Sequence, residues 1–135
     1  MTSVESIGTL ARRWSQAFNV RDMDALADLT SPDFEFVPYL GSLIETSVYR
    51  GHDGLRSYFE DARSAWEEIK VRQAEVREVG DQTISFGELR GKGRASGLEV
   101  QMSLAWVGDW RDEKLVRLVT YTNKDEALEA VGLTE

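Results

Sequence analysis

The spacing of apolar side chains changes along the sequence, and this change limits the fold more than any single motif does. An apolar stripe runs from Val4 to Phe18 at steps of three and four residues, which predicts a helix. After about residue 70, four segments rich in β-forming residues follow one another with only short turns between them. Short connections favour antiparallel neighbours. This order predicts an α+β fold with the helices on one face of an antiparallel sheet.

Capping and breaking residues set the boundaries of the first elements. Thr2 and Glu5 have the spacing of a capping box at the start of the first helix. Asp22 is the predicted cap of a second helix, which Ser31-Pro32 ends because proline cannot continue the helical hydrogen bonds. Residues 33–38 then alternate as a strand does.

The middle of the chain contains a loop and a third helix. Residues 39–49 mix small and apolar side chains and are interpreted as an irregular loop or a short hairpin. The segment from Gly51 to Gly54 breaks the chain and starts a third helix, whose apolar face extends from Leu55 to Ile69.

Four strands and a last helix complete the prediction. The strands are expected at about residues 70–79, 82–92, 97–110 and 114–122. Asn123 and Glu126 form a capping box for a short C-terminal helix, which Gly132 ends. We therefore predict a curved antiparallel sheet packed against three N-terminal helices, with a short C-terminal helix. A strongly bent sheet leaves a cavity lined mainly by apolar groups.

Length, cysteine content and charge narrow the class of protein. The 135 residues fit a single domain, 1–135. The absence of cysteine removes disulfides and thiolate metal sites, and it suits a reducing cytoplasm. The sequence has no signal-peptide pattern and no apolar run near the ~18 residues of a membrane span. A net charge of -8 opposes binding to a phosphate backbone. We expect a cytoplasmic protein that binds neither nucleic acid nor membranes.

Several short segments occur in a familiar order along nearly the whole chain. They are Asp22-Met23-Asp24-Ala25-Leu26, Phe34-Glu35-Phe36, Tyr49-Arg50-Gly51-His52-Asp53-Gly54-Leu55 and Ala127-Leu128-Glu129-Ala130-Val131-Gly132-Leu133. The sequence thereby resembles the SnoaL-like branch of the nuclear transport factor 2-like superfamily, which includes ketosteroid-isomerase-like and polyketide-cyclase-like proteins. The resemblance implies a cystatin-like α+β roll, in which the curved antiparallel sheet is cone-shaped. It does not by itself imply one reaction, because one fold supports many functions.

Two positions depart from the ketosteroid isomerases within that superfamily. Aligned on Asp22, those enzymes have a tyrosine where this chain has Trp14 and a carboxylate base where it has Pro38. An indole donates one hydrogen bond but does not titrate usefully, and proline cannot move a proton. The resemblance therefore disfavours steroid isomerisation by that mechanism.

Bulky aromatic residues on the predicted inner faces are candidates for the lining of the cavity. Alternation and the resemblance together select Trp14, Phe18, Phe34, Phe36, Pro38, Tyr58, Phe59, Trp66, Phe86 and Trp106. The simplest explanation for any one of them alone is ordinary core. Together they favour an apolar or aromatic ligand, because aromatic rings pack favourably against one another.

His52, Arg117 and Tyr121 are the candidate catalytic residues. His52 is the only histidine, the residue type used most often for general acid–base catalysis, so one alternative is a general base. The other alternative is that His52 shapes the turn before the third helix. By alternation Arg117 shares a strand face with Leu115, Val119 and Tyr121. Arg117 is exposed on an edge, pairs with an acidic residue across strands, or turns inward to hold a ligand oxygen, with Tyr121 as a second donor.

Two functions remain open at this point. One is a cofactor-independent cyclase, isomerase or dehydratase that uses acid–base groups on a small apolar or aromatic molecule. The other is a non-catalytic ligand-binding or accessory domain. We expect no metal and no cofactor, because one histidine without cysteine is a poor ligand set for a transition metal. We also expect a homodimer through the outer sheet face, from the resemblance and because the later strands have apolar residues on both faces.

Overall fold

The computed structural model describes residues 6–38 and 48–133. Its elements, in chain order, are α1 (Ile7–Val20), α2 (Met23–Leu29), β1 (Thr30–Val37), β2 (Tyr49–Arg50), α3 (Gly51–Ala65), β3 (Trp66–Val79), β4 (Gln82–Gly93), β5 (Glu99–Arg111), β6 (Lys114–Tyr121) and α4 (Lys124–Ala130). The predicted order of helices and strands is confirmed, with the short strand β2 added before α3. Helix α2 ends at Leu29, before the predicted stop at Ser31-Pro32, and β1 begins at Thr30, so Ser31 and Pro32 belong to the strand. The expected capping box at Thr2 and Glu5, and residues 39–47 of the expected loop, lie outside the described residues.

Side chains cap three of the helices as local chemistry requires. The Asp22 carboxylate accepts a hydrogen bond from the Ala25 amide at 3.1 Å, and the Asn123 side chain accepts from the Glu126 amide at 3.1 Å. Both caps were predicted, and each satisfies an amide that the first helical turn leaves unpaired. Ser6 caps α1 in the same way.

The six strands form one sheet in the order β2-β1-β6-β5-β4-β3. Strands β3, β4, β5 and β6 pair antiparallel with one another in chain order, as their short connections predict. Strand β1 pairs with β6 in parallel, which differs from the wholly antiparallel sheet that was expected. With its helices and this curved sheet the chain forms a cone-shaped α+β roll.

A bulge in β3 helps to bend the sheet. Gln73 is opposite Gly87 and Glu75 is opposite Phe86, so Ala74 is an extra residue on β3. Bulges of this kind increase the local bend and twist of a strand. A Cβ atom built on Gly87 would lie 1.9 Å from the carbonyl oxygen of Arg72, so only glycine fits opposite the bulge.

Helices cover both faces of the sheet. Helices α1 and α3 pack with the inner face into the main core, which contains Leu10, Phe18, Phe34, Leu55 and Leu104. Helix α4 packs on the outer face, where Ala127, Leu128 and Val131 cover Ile84, Ala105 and Val107. These three outer-face residues therefore have apolar partners within the same chain.

Helix α3 ends earlier than its apolar spacing predicted. The third helix was expected to reach Ile69, whereas α3 ends at Ala65 and β3 begins at Trp66. Trp66 is paired with Gly93 and Ile69 with Gly91 across β3 and β4. Pairing with a strand distant in sequence overrides the local helical spacing here, because the same apolar residues reach the core from either structure.

The end of α1 is joined to β3 by one side chain. The Asn19 amide nitrogen donates to the Val71 carbonyl at 2.7 Å, and the Val71 amide donates to the Asn19 side-chain oxygen at 2.8 Å. Asn19 thereby holds α1 against β3, which is the strand at one edge of the sheet.

Among the described helices, none is long and apolar enough to cross a membrane.

Candidate functional site

An interior cavity lies between α1, α3 and the inner face of the sheet. Six of the residues predicted to line a pocket do so: Trp14, Phe18, Phe36, Pro38, Tyr58 and Trp106. Helix α1 brings Trp14 and Phe18 to it, and β1 brings Phe36, with Pro38 directly after the strand. Helix α3 brings Tyr58 and β5 brings Trp106. The cavity is thus built from elements that are far apart in the sequence.

The aromatic rings of the lining pack against one another. The ring centroids of Trp14 and Phe18 are 5.3 Å apart in a stacked arrangement, and those of Trp14 and Phe36 are 5.6 Å apart edge to face. The Tyr58 ring meets Phe36 edge to face at 5.0 Å. These are favourable aromatic geometries, so the rings contribute to the stability of the core as well as to the lining.

The cavity is small in this conformation. Its volume is about 30 Å³, measured as the space open to the centre of a water molecule. That is enough for one or two waters and far less than the roughly 300–1,000 Å³ of a typical ligand pocket. A larger molecule must therefore displace some of the lining side chains.

Polar side chains on the inner face also line the cavity, and sequence reasoning did not select them. The Trp110 indole nitrogen donates to the Thr83 hydroxyl at 2.9 Å, and the Gln73 amide nitrogen donates to the Ser85 hydroxyl at 3.1 Å. The alternation of side chains along β4 could have identified them. Thr83 and Ser85 point to the inner face of the sheet, and Ile84, which lies between them, points to the outer face.

Tyr58 is the only ionisable side chain among the described residues that line the cavity. Burial raises the pKa of its phenol well above the ordinary value, so the group stays neutral. The described lining contains no Asp, Glu, His, Lys or Arg. In the described ranges, moreover, no three His, Asp or Glu side chains are placed to hold a metal ion.

His52 lies at the start of α3 and does not line the cavity. Its Nε2 atom is 3.4 Å from the Thr30 carbonyl oxygen, at the beginning of β1. The contact joins the start of α3 to β1, which agrees with the alternative that His52 shapes the turn before this helix and does not act as a base.

Arg117 and Tyr121 are on the outer face of the sheet. Arg117 is about half exposed, and its Nε atom is 3.9 Å from a carboxylate oxygen of Glu35, which also pairs with Arg50. Tyr121 packs against the outer cluster beneath α4. The structure therefore does not bring His52, Arg117 and Tyr121 together around the cavity.

An irregularity in β6 changes which of its residues face inward. Leu115 is opposite Trp110 and Arg117 is opposite Asp109, so Val116 is an extra residue on β6. Leu115 and Leu118 consequently both line the cavity, although strict alternation placed Leu115 on the same face as Arg117.

The four other residues expected in the lining have different surroundings. Phe34 is fully buried in the core beside Phe36, and Phe59 is buried against Phe18 and Tyr58. The Trp66 ring lies over Gly91 on the sheet. Phe86 is on the outer face, where its ring is 5.0 Å from the Lys124 ammonium, because its parity on β4 is that of Ile84.

The sequence matches the profile of the SnoaL-like domain over residues 11–118, which is most of the chain. The chain belongs to the SnoaL-like domain family. No curated protein matches this SnoaL-like domain by sequence.

Solved structures show the same fold at low identity. A nuclear transport factor 2-like protein of unknown function from Burkholderia pseudomallei is 17% identical, with a TM-score of 0.77, and the match covers 95% of this chain and 99% of that one. A candidate polyketide cyclase from Xanthomonas campestris is 18% identical (TM-score 0.74, coverage 93% and 96%). TerC, co-crystallized with polyporic acid, is 19% identical (TM-score 0.77, coverage 93% and 98%). For this SnoaL-like domain, these likenesses establish the fold alone.

Proposed function

We propose that this SnoaL-like domain binds a small apolar or aromatic molecule in the cavity, without proton transfer by an ionisable side chain. One observation carries the proposal: the described lining is mainly aromatic and aliphatic, and its only ionisable group is the neutral phenol of Tyr58. A general acid or base must lie within about 2.6–3.2 Å of the proton it moves, or one water away. A non-catalytic binding domain fits this lining better than an acid–base enzyme does.

The size of the cavity determines how binding occurs. A molecule as large as a substituted benzene cannot enter a volume of about 30 Å³ without moving side chains. Packed cores resist such movement, so part of the favourable transfer free energy is spent on rearrangement. We expect weak binding of simple probes and stronger binding when the cavity is widened.

A pair of matched variants on α1 tests the location. Ala11 lines the cavity and Ala17 does not, yet both are buried, at 6% and 7% exposure. Ala11→Leu should weaken the binding of ethylbenzene by about tenfold or more, because packing a ligand against the added side chain costs about 1–3 kcal/mol. Ala17→Leu is the control and should leave the affinity nearly unchanged. Calorimetric titration of the folded variants measures both dissociation constants.

Equal weakening by the two variants would show that general loosening of α1, not occupation of the cavity, controls the affinity. Undiminished binding to Ala11→Leu would place the bound probe elsewhere on the protein. Either result contradicts the proposed site.

An enzyme of the cyclase, isomerase or dehydratase type is the second candidate. Its support is the likeness of fold to a candidate polyketide cyclase and to TerC, which was co-crystallized with a small organic molecule, polyporic acid. In such an enzyme the Tyr58 phenol would be the only ionisable group that the described lining offers to a substrate. Its raised pKa suits hydrogen-bond donation better than proton abstraction near neutral pH.

A homodimer and a cytoplasmic location remain predictions. Helix α4 already covers part of the outer apolar surface, so the family resemblance is the main support for a dimer. Sedimentation equilibrium should give twice the 15.3 kDa mass of one chain. A single-chain mass at concentrations of tens of micromolar would rule out a stable dimer.

A further inference from the structure

Two polar atoms at the cavity have no hydrogen-bond partner among the described residues. They are the indole Nε1 of Trp14 and the hydroxyl Oγ1 of Thr120, and both atoms are buried. Trp14 as a whole is only 6% exposed. Buried polar atoms without partners are uncommon in folded proteins, and each calls for a specific explanation. The paired groups Trp110–Thr83 and Gln73–Ser85 in the same lining show that the fold can satisfy such atoms.

The two atoms belong to one region of the cavity. The Trp14 ring packs edge to face against Phe36, with 5.6 Å between centroids. Phe36 is paired with Leu118 across β1 and β6. Thr120 is two residues beyond Leu118 and so has the same inward parity. Trp14 and Thr120 therefore face the cavity from opposite layers, the helix and the sheet.

The chemistry of these groups selects an acceptor atom on the ligand. An indole N–H can only donate a hydrogen bond, while a threonine hydroxyl can donate or accept. A carbonyl oxygen has two lone pairs and can accept from both. An aliphatic or aromatic hydrocarbon would leave both atoms unpaired, which penalises its burial.

The charge of the surroundings selects an uncharged ligand. The described lining supplies no Lys, Arg or His to pair with an anion and no Asp or Glu to pair with a cation. Burial of an unpaired ionised group is very unfavourable. The net charge of -8 further opposes the approach of a carboxylate.

Building on the function proposed above, we propose that Trp14 and Thr120 bind the oxygen of an uncharged carbonyl compound, of the aryl ketone class. The apolar part of the ligand then lies among the aromatic rings of the lining. No covalent bond is made or broken in this step. The two groups give the cavity a polar end that distinguishes a ketone from a hydrocarbon of the same shape and from the corresponding carboxylate.

Three probes of similar shape test the selectivity: acetophenone, ethylbenzene and benzoate. Their affinities are measured by calorimetry for the wild-type chain and for Leu104→Ala, in which the cavity is wider. Acetophenone should bind about three- to tenfold more tightly than ethylbenzene, the gain expected from one or two hydrogen bonds. Benzoate should bind most weakly. In a ¹H–¹⁵N spectrum, acetophenone should move the Trp14 indole signal downfield, and ethylbenzene should not; Trp14→Phe identifies that signal.

Thr120→Val removes the hydroxyl with almost no change of shape. It should reduce the affinity for acetophenone about three- to tenfold and leave the affinity for ethylbenzene unchanged. Thr122→Val, at an exposed threonine, is the matched control and should change neither.

The outcomes separate this inference from the proposed function. If ethylbenzene and acetophenone bind equally well and the Trp14 signal does not move, the polar end does not exist, although the apolar site stands. If benzoate binds as tightly as acetophenone, the selection for an uncharged ligand is wrong. If no probe binds to the wild type or to Leu104→Ala, both the inference and the proposed function fail.

Discussion

Gly87→Ala should lower the free energy of unfolding by more than about 4 kcal/mol, or prevent folding altogether. The added Cβ would lie 1.9 Å from the Arg72 carbonyl oxygen and 2.9 Å from its carbonyl carbon, and both are backbone atoms. A backbone group cannot rotate away as a side chain can. Relief would require β3 and β4 to separate where the Ala74 bulge bends the sheet. Urea unfolding followed by tryptophan fluorescence measures the change.

Gly80→Ala is the control for this prediction. Gly80 has a φ of +61° at the turn between β3 and β4, and a Cβ there would have no neighbour within 4 Å. Its substitution should cost about 1–2 kcal/mol through backbone strain alone. If Gly87→Ala unfolds at the same urea concentration as Gly80→Ala, the close approach of the two strands at the bulge does not make glycine necessary at position 87.

Leu104→Ala should lower the free energy of unfolding by about 2–5 kcal/mol, since it deletes buried methyl groups and leaves a void. Leu104 is 4% exposed and lines the cavity. Ile84→Ala should have a similar cost, because Ile84 is fully buried in the outer cluster beneath α4. Thermal and urea unfolding of both variants gives the two values.

A ligand should distinguish these two equally destabilised variants. Ethylbenzene at ten times its dissociation constant should restore about 1.4 kcal/mol to Leu104→Ala, because it binds only the folded chain. It should not stabilise Ile84→Ala beyond the effect seen with the wild type, since that void opens on the other face of the sheet. Specific rescue of Ile84→Ala would mean that the probe occupies the outer cluster.

Local chemistry made some of the elements predictable. Asp22 and Asn123 cap helices through contacts within three residues, so the sequence nearby is sufficient to identify them. The start of β3 was not predictable in this way. Trp66 and Ile69 continue a helical spacing, and only the distant residues Gly93 and Gly91 make them part of a strand.

In the candidate site, too, some residues could be predicted from the nearby sequence and others depend on contacts with distant parts of the chain. Trp14, Phe36 and Trp106 were expected at the cavity, because apolar parity along a helix or strand is a local property. Arg117 could not be assigned to a face from the sequence, and Glu35 on a neighbouring strand now accounts for its outward direction. The unpaired atom of Thr120 could not be foreseen at all, because a missing partner depends on every side chain around it.

The Asn19 amide has a consequence for how the folded chain behaves in a crowded solution. Strand β3 is fourteen residues long and ends the sheet, and an open strand of that length would offer its backbone to another molecule. Asn19 occupies both the N–H and the C=O of Val71, on the side of β3 away from β4. At Val71 the edge is therefore covered by α1, and the side chain that joins helix to strand also opposes the pairing of another strand at this point.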